Sequence, residues 1–155
     1  MDKKILIYGI PDKRFYDYLK EKKIKEVFVS ELRPNLEGAK LVSKELLKNK
    51  IKPILISDNM LGFCVSKNLV GEIVLFYDKI VSNKVICRTG SLVAVLLAKK
   101  HLVPISCWPA KKGIKKSVHK KTLTNFLGST IAPHDIKTYS NLEEEIPLGC
   151  LNRVE

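Results

Sequence analysis

Nowhere in these 155 residues is there an apolar run long enough to cross a bilayer. The longest, Leu92 to Ala98, falls far short of the ~20 residues a spanning helix needs. The opening, Met1-Asp2-Lys3-Lys4 followed by Ile5 to Ile10, has too short an apolar stretch for a secretory leader and no small-residue cleavage pattern. The expected location is therefore the cytoplasm, with no membrane partner. Paired cysteines are missing too. Cys64, Cys87, Cys107 and Cys150 stand far apart, without the spacing of a zinc site or a dithiol motif, and read as reduced thiols. His101, His119 and His134 have no partner at metal-ligand spacing, so neither a metal nor another cofactor is expected. There is no glycine-rich dinucleotide fingerprint, no P-loop lysine motif, no internal repeat and no linker.

What is present is ample material for a core. Hydrophobic residues make up 45% of the chain, and a chain of this length buries roughly 70% of its unfolded surface. The net charge of +12 comes mainly from lysines spread along every amphipathic segment, which is the pattern of a solvated surface. Only Lys111 to Lys121 is dense, with six lysines in eleven positions. It has no interleaved aromatics and no arginines to read bases, so it reads as a solvated loop and not as a nucleic-acid site.

Hydrophobic periodicity alternates between two types. Lys4 to Tyr8 is a short apolar run ended by Gly9 and Pro11, as in a buried strand. Asp12 then caps a helix with Phe15, Tyr18 and Leu19 on one face. Glu26 to Val29 forms a second strand, closed by Ser30-Glu31-Leu32-Arg33-Pro34. Leu36, Ala39, Val42 and Leu46 recur three to four apart, which predicts an amphipathic helix. Pro53 to Ile56 makes a third strand, followed by Ser57-Asp58-Asn59 and a helix carrying Leu61, Cys64 and Val65. Ile73 to Tyr77 is a fourth strand ending at Asp78. After a loop around Ser82-Asn83-Lys84, Val85 to Ser91 leads into Leu92 to Ala98, apolar nearly all round and expected to be the most buried helix. Leu102 to Ser106 gives a fifth strand. The alternation predicts an α/β fold, a Rossmann-like parallel sheet flanked by helices on both faces. One domain is expected over residues 1–155, with a core at 4–108 and an irregular extension at 109–155.

In such a sheet ligands collect outside the carboxyl ends of the strands, where helix amino termini also point. The residues there are polar and specific. They are Glu31 and Arg33, then Ser57, Asp58 and Asn59, then Asp78 and Lys79, and finally Arg88, Thr89, Gly90 and Ser91. They offer carboxylates for proton transfer or hydroxyl binding, two arginines for phosphate, and a helix terminus for an anion. Each also has a plain structural use. Asp58 or Ser57 serves equally to cap the next helix, Arg33 to pair with Glu31, and Gly90 to let the helix pack closely. Spacing alone defines an anion or polar-ligand site.

Glu31-Leu32-Arg33-Pro34, Gly38, Ser57-Asp58-Asn59-Met60, Asp78-Lys79-Ile80, and Thr89-Gly90-Ser91 with Ala98-Lys99 form an ordered set that resembles a known family. It is similar to the Rossmann-like carboxyl-terminal domain shared by methylthioribose-1-phosphate isomerase, ribose-1,5-bisphosphate isomerase and the regulatory subunits of eukaryotic translation initiation factor 2B. The likeness covers residues 5–108, and Asn141 to Leu148 resembles the family's last strand region. In the isomerases the resemblance implies a cysteine after the first strand and an aspartate after the fourth, which together move protons between aldose and ketose. Asp78 matches the aspartate. The cysteine has no counterpart in Ile7-Tyr8-Gly9-Ile10, and Cys87-Arg88 replaces an asparagine–lysine pair that contacts phosphate. The family's helical amino-terminal domain has no counterpart in this sequence either.

Three readings follow from the departures. The first is a stand-alone, non-catalytic domain that binds a phosphorylated small molecule, a sugar phosphate or a nucleotide, through Glu31, Arg33, Asp58, Asn59, Arg88, Gly90 and Ser91. The second is a minimal sugar-phosphate isomerase using Asp78 with Cys87 as a second group. The third is an oligomerisation module with an idle cleft. The resemblance also implies a homodimer.

Overall fold

The computed structural model describes residues 3–113 and 118–155; the middle of the lysine run, residues 114–117, lies outside the described residues. The chain begins with β1 (Lys4–Tyr8), whose Leu6 and Ile7 are both wholly buried although they point to opposite faces. Burial on both faces is the mark of an internal strand in a helix-covered parallel sheet. Next comes α1 (Lys13–Glu21), which buries Phe15, Tyr16 and Leu19 along one stripe. Phe15 and Tyr18 meet Trp108 at ring-centroid distances of 5.4 and 4.9 Å, and Phe15 meets Phe76 at 5.0 Å, so α1 lies over the sheet centre. The chain continues through β2 (Glu26–Ser30), a π-helical turn (Gly38–Val42), α2 (Ser43–Lys48), β3 (Lys52–Ile56) and α3 (Leu61–Ser66). It then forms β4 (Val70–Val81), β5 (Lys84–Arg88), α4 (Ser91–His101) and β6 (Ile105–Pro109).

The parallel core predicted from periodicity is present, with neighbouring strands in the order β6, β4, β1, β2, β3. The sheet is nevertheless mixed. β4 runs on past its parallel neighbours, turns at Ser82 and Asn83, and pairs antiparallel with β5. Residues 84–88, read from sequence only as a lead into a helix, are thus a buried strand.

The tail holds short strands and one turn of helix. α5 (Lys120–Thr124) and a small hairpin, β7 (Asn125–Phe126) with β8 (Ser129–Thr130), stand apart from the main sheet. β9 (Glu143–Pro147) then pairs antiparallel with β5, and β10 (Arg153–Val154) pairs parallel with β6. The tail therefore belongs to the sheet.

Two expectations are corrected. The strand expected at Leu102 to Ser106 is Ile105–Pro109, because α4 extends to His101 and ends on Leu102 in a left-handed conformation, φ 54°. The reason is that a helix closed by an αL residue needs a further residue or two before the chain extends. Nor is α4 buried all round. Ser91, Ala94, Val95 and Ala98, at i, i+3, i+4 and i+7, face the interior, while Leu92, Val93 and Leu96 are 42, 55 and 59% exposed. A helix on the outside of a sheet covers one stripe only, and the other apolar stripe of α4 is left bare.

Candidate functional site

Asp78 was expected at a strand end but sits inside β4. Tyr77 pairs with Cys87 and Lys79 with Ile86, so two steps along β4 match one along β5 and Asp78 is the extra residue. Such a bulge turns a side chain away from the regular pleat, a device common beside functional sites. The bulge opens onto a cavity of about 50 Å³ lined by Gly9, Ile10, Phe76, Asp78, Ile86, Cys87, Arg88, Ala110, Lys111, Leu142 and Glu143. It lies where β1 and β6 end, beside the bulge of β4, and where β9 approaches. Asp78 and Glu143 both have interaction partners.

The thiol of Cys87 is buried and 3.7 Å from Sγ of Cys107. That hydrogen bond, then burial, then the charges on Cys107, Glu144 and Asp78 push the Cys87 thiol far above its ordinary range. The thiol is therefore held neutral and is not a thiolate nucleophile. Tyr8 is pushed up as well, chiefly by burial and secondarily by Asp58; its hydroxyl donates to the carbonyl of Thr89 at 2.9 Å.

Arg88 does not wait for a ligand. Its Nη2 lies 2.6 Å from Oε2 of Glu37, and both side chains are nearly buried, 11 and 8% exposed. Arg33 turns elsewhere, with its guanidinium 4.6 Å from the ring centroid of Phe126. The two arginines expected to converge on one anion are thus separately engaged. Asp58 acts as a clamp: it accepts from Oγ of Ser30 and from the amides of Leu32 at 3.0 Å and Arg33 at 2.7 Å. Neither Ser57 nor Asp58 caps the following turn. Ser57 instead donates to Oδ1 of Asn59 at 2.6 Å, and Glu31 is placed by its amide on Ile56 and its carbonyl on Ala39.

At the start of α4, Gly90 has φ 101°, and a Cβ there would stand 1.8 Å from the Tyr8 hydroxyl, so glycine is required twice over. Ser91 donates to the carbonyl of Arg88 at 2.6 Å. The amide of Leu92 already has an anion, Oε1 of Glu144 at 2.8 Å. The helix terminus thus favours negative charge, as expected, and β9 supplies it from within the chain.

Sequence reasoning missed Glu37, Lys111, Glu143 and Glu144. Glu37 precedes Gly38 of the quoted motif, and its 6% exposure is what a charged residue shows only when paired. Lys111 was read with the surface lysines. The glutamates belong to the strand region that the resemblance had placed near the ligand.

Asp78, read as an acid-base carboxylate, lines one cavity with Cys87 at the carboxyl edge of a helix-covered α/β sheet. Fold and cavity together define an α/β protein with a cleft at the carboxyl edge of its sheet. The chain belongs to the Initiation factor 2 subunit family, whose model matches residues 14–126. Methylthioribose-1-phosphate isomerase of Thermosipho melanesiensis is 33% identical over 131 residues, 77% of this chain and 38% of that one. The Carboxydothermus hydrogenoformans enzyme of the same name is 40% identical over 83 residues, 53% of this chain and 24% of its own length. This chain thus spans well under half the length of these relatives. Translation initiation factor eIF-2B, subunit delta, from A. fulgidus superposes with a TM-score of 0.83 at 22% identity, covering 99% of this chain and 52% of that one. The 5-methylthioribose 1-phosphate isomerase from Pyrococcus horikoshii gives 0.82 at 20% identity, covering 99% and 50%. At these identities the solved structures establish the fold. Among the described residues no helix is long and apolar enough to cross a membrane.

Proposed function

We propose that the Asp78 cleft binds a phosphorylated sugar and interconverts its aldose and ketose forms. One observation carries this: Asp78, on its bulge, shares a cavity with the neutral Cys87 thiol and with the cations Arg88 and Lys111. The ring bond from C1 to oxygen breaks as the ring oxygen takes up a proton. The Asp78 carboxylate moves the C2 proton to C1, and the C2 hydroxyl gives up its proton as it becomes the ketone. The Cys87 thiol donates a hydrogen bond to the oxygen on which charge develops, and no oxidant or reductant is needed. The cavity admits only the reacting end of such a molecule. Its phosphate would lie at the rim, where Lys111 is exposed and where Arg88 would exchange Glu37 for the anion. The relatives named methylthioribose-1-phosphate isomerase support this choice of chemistry.

A second reading, binding without turnover, is favoured by Gly9. It occupies the stretch where the family's isomerases carry a cysteine, and a Cβ there would meet Phe76 at 3.1 Å on a backbone of φ 122°. The place for a side chain at that position is closed. Phosphorus and proton magnetic resonance of the protein with methylthioribose 1-phosphate or ribose 1,5-bisphosphate decides between the readings. Conversion, reduced roughly 100- to 10,000-fold by Asp78→Asn, is the expected result. Saturable binding with no conversion would establish the second reading.

The same proposal includes a homodimer. Phe63 of α3 and Leu92, Val93 and Leu96 of α4 are 51, 42, 55 and 59% exposed on helices that pack side by side. An apolar face of this kind is better covered than wetted. Light scattering at micromolar concentration should give twice the chain mass, and the double change Val93→Glu, Leu96→Glu should halve it. A monomer before mutation would refute the dimer.

A further inference from the structure

Beside the Asp78 cleft, and much larger, a groove of about 690 Å³ runs between α1 and α2 and ends at residues 109–112. This volume is within the range of small-molecule sites. Ile10, Pro11, Leu41 and Pro109 give it an apolar floor. Its rim is cationic. Arg14, Lys20 and Lys48 are matched within the groove, by Asp12 at 3.0 Å, Asp17 at 2.7 Å and Glu45 at 3.2 Å. Lys13, Lys44, Lys111 and Lys112 are exposed and have no ion-pair partner among the described residues.

We infer that this groove binds an organic diphosphate of the size and chemistry of a nucleoside diphosphate. Seven cations line this one depression and are only partly offset by Asp12, Asp17 and Glu45, so it attracts an anion, and a diphosphate brings the charge of more than one carboxylate. The apolar floor selects a molecule with an organic moiety over a bare anion, because only such a moiety gains from covering it. The length of the groove argues against a helical peptide. α1 has nine residues, so its wall is roughly 13 Å long, too short to seat a multi-turn helix. The inference does not depend on the chemistry at Asp78, although Lys111 lines both sites and couples them.

Isothermal titration with ADP at low salt tests it. Binding is expected, at least tenfold weaker in the double variant Lys13→Ala, Lys44→Ala and in Leu41→Asp, and unchanged in Lys100→Ala, an exposed lysine of α4 outside the groove. The two lysines and Leu41 are exposed, so these variants fold, and circular dichroism verifies it. Three outcomes would overturn the inference. They are no binding at millimolar ADP, binding indifferent to the lysine pair, and pyrophosphate binding as tightly as ADP.

Discussion

Gly38→Ala is expected to destabilise the protein by roughly 3–5 kcal/mol, the high end for a single substitution. The added Cβ would stand 1.8 Å from the carbonyl oxygen of Ser30 and 3.0 Å from its carbon. Both are backbone atoms of the last residue of β2, so no flexible side chain can swing clear. Nor can β2 retreat cheaply. Ser30 is wholly buried, and its hydroxyl is held by Asp58, which at the same time binds the amides of Leu32 and Arg33. A shift at residue 38 is therefore a shift of the whole β2-to-α2 connection. Gly128→Ala is the matched control: φ is 82° there but nothing lies within 4 Å of the new Cβ. Its cost should be the backbone strain alone, about 1–2 kcal/mol. Urea unfolding of the two variants measures the difference. Equal midpoints would mean that the close approach at Gly38 is not maintained in solution.

Much of this fold was legible because its central strands are buried on both faces. Leu6-Ile7, Val27-Phe28-Val29 and Ile73 to Phe76 are unbroken apolar runs, and such runs have few alternatives to an internal parallel strand. β9 was harder. Glu143-Glu144-Glu145 carries no strand signal, and it becomes one only because β5, some sixty residues earlier, offers it a free edge. The site divides in the same way. Asp78 and Arg88 could be picked out from local sequence, and Gly90 from its place before a helix. Their partners could not, because partnership is a tertiary property. Arg88 looks equally ready for a phosphate or a carboxylate until the π-helical turn carries Glu37 to it. Asp58 looks like a helix cap, since a carboxylate that accepts backbone amides does the same chemistry in either role. The structure gives it the amides of Leu32 and Arg33, across a loop, in place of those of its own turn.

That concealed partner carries the other large effect. Removing either member of the Glu37–Arg88 pair should cost about 3–5 kcal/mol, because the survivor is left charged in a place with little water. Glu37→Leu strands a guanidinium that is 11% exposed, and Arg88→Leu strands a carboxylate that is 8% exposed and otherwise bound, among the described residues, only by the side-chain amide of Asn35 at 3.2 Å. Changing both to leucine strands neither. The double variant should therefore be far more stable than the sum of the single losses predicts, with a coupling energy in the upper part of the roughly 0.5–3 kcal/mol range for residues in contact. Additive losses in thermal or urea unfolding would show that the two side chains do not meet. The cycle also bears on the ligand. Any phosphate reaching Arg88 must compete with Glu37, so Glu37→Gln, which keeps the shape and removes the charge, should bind inorganic phosphate more tightly than the unaltered protein. Arg88→Leu should lose that binding. If Glu37→Gln binds phosphate no better, Arg88 holds the β2-to-α2 connection in place and takes no part in holding a substrate.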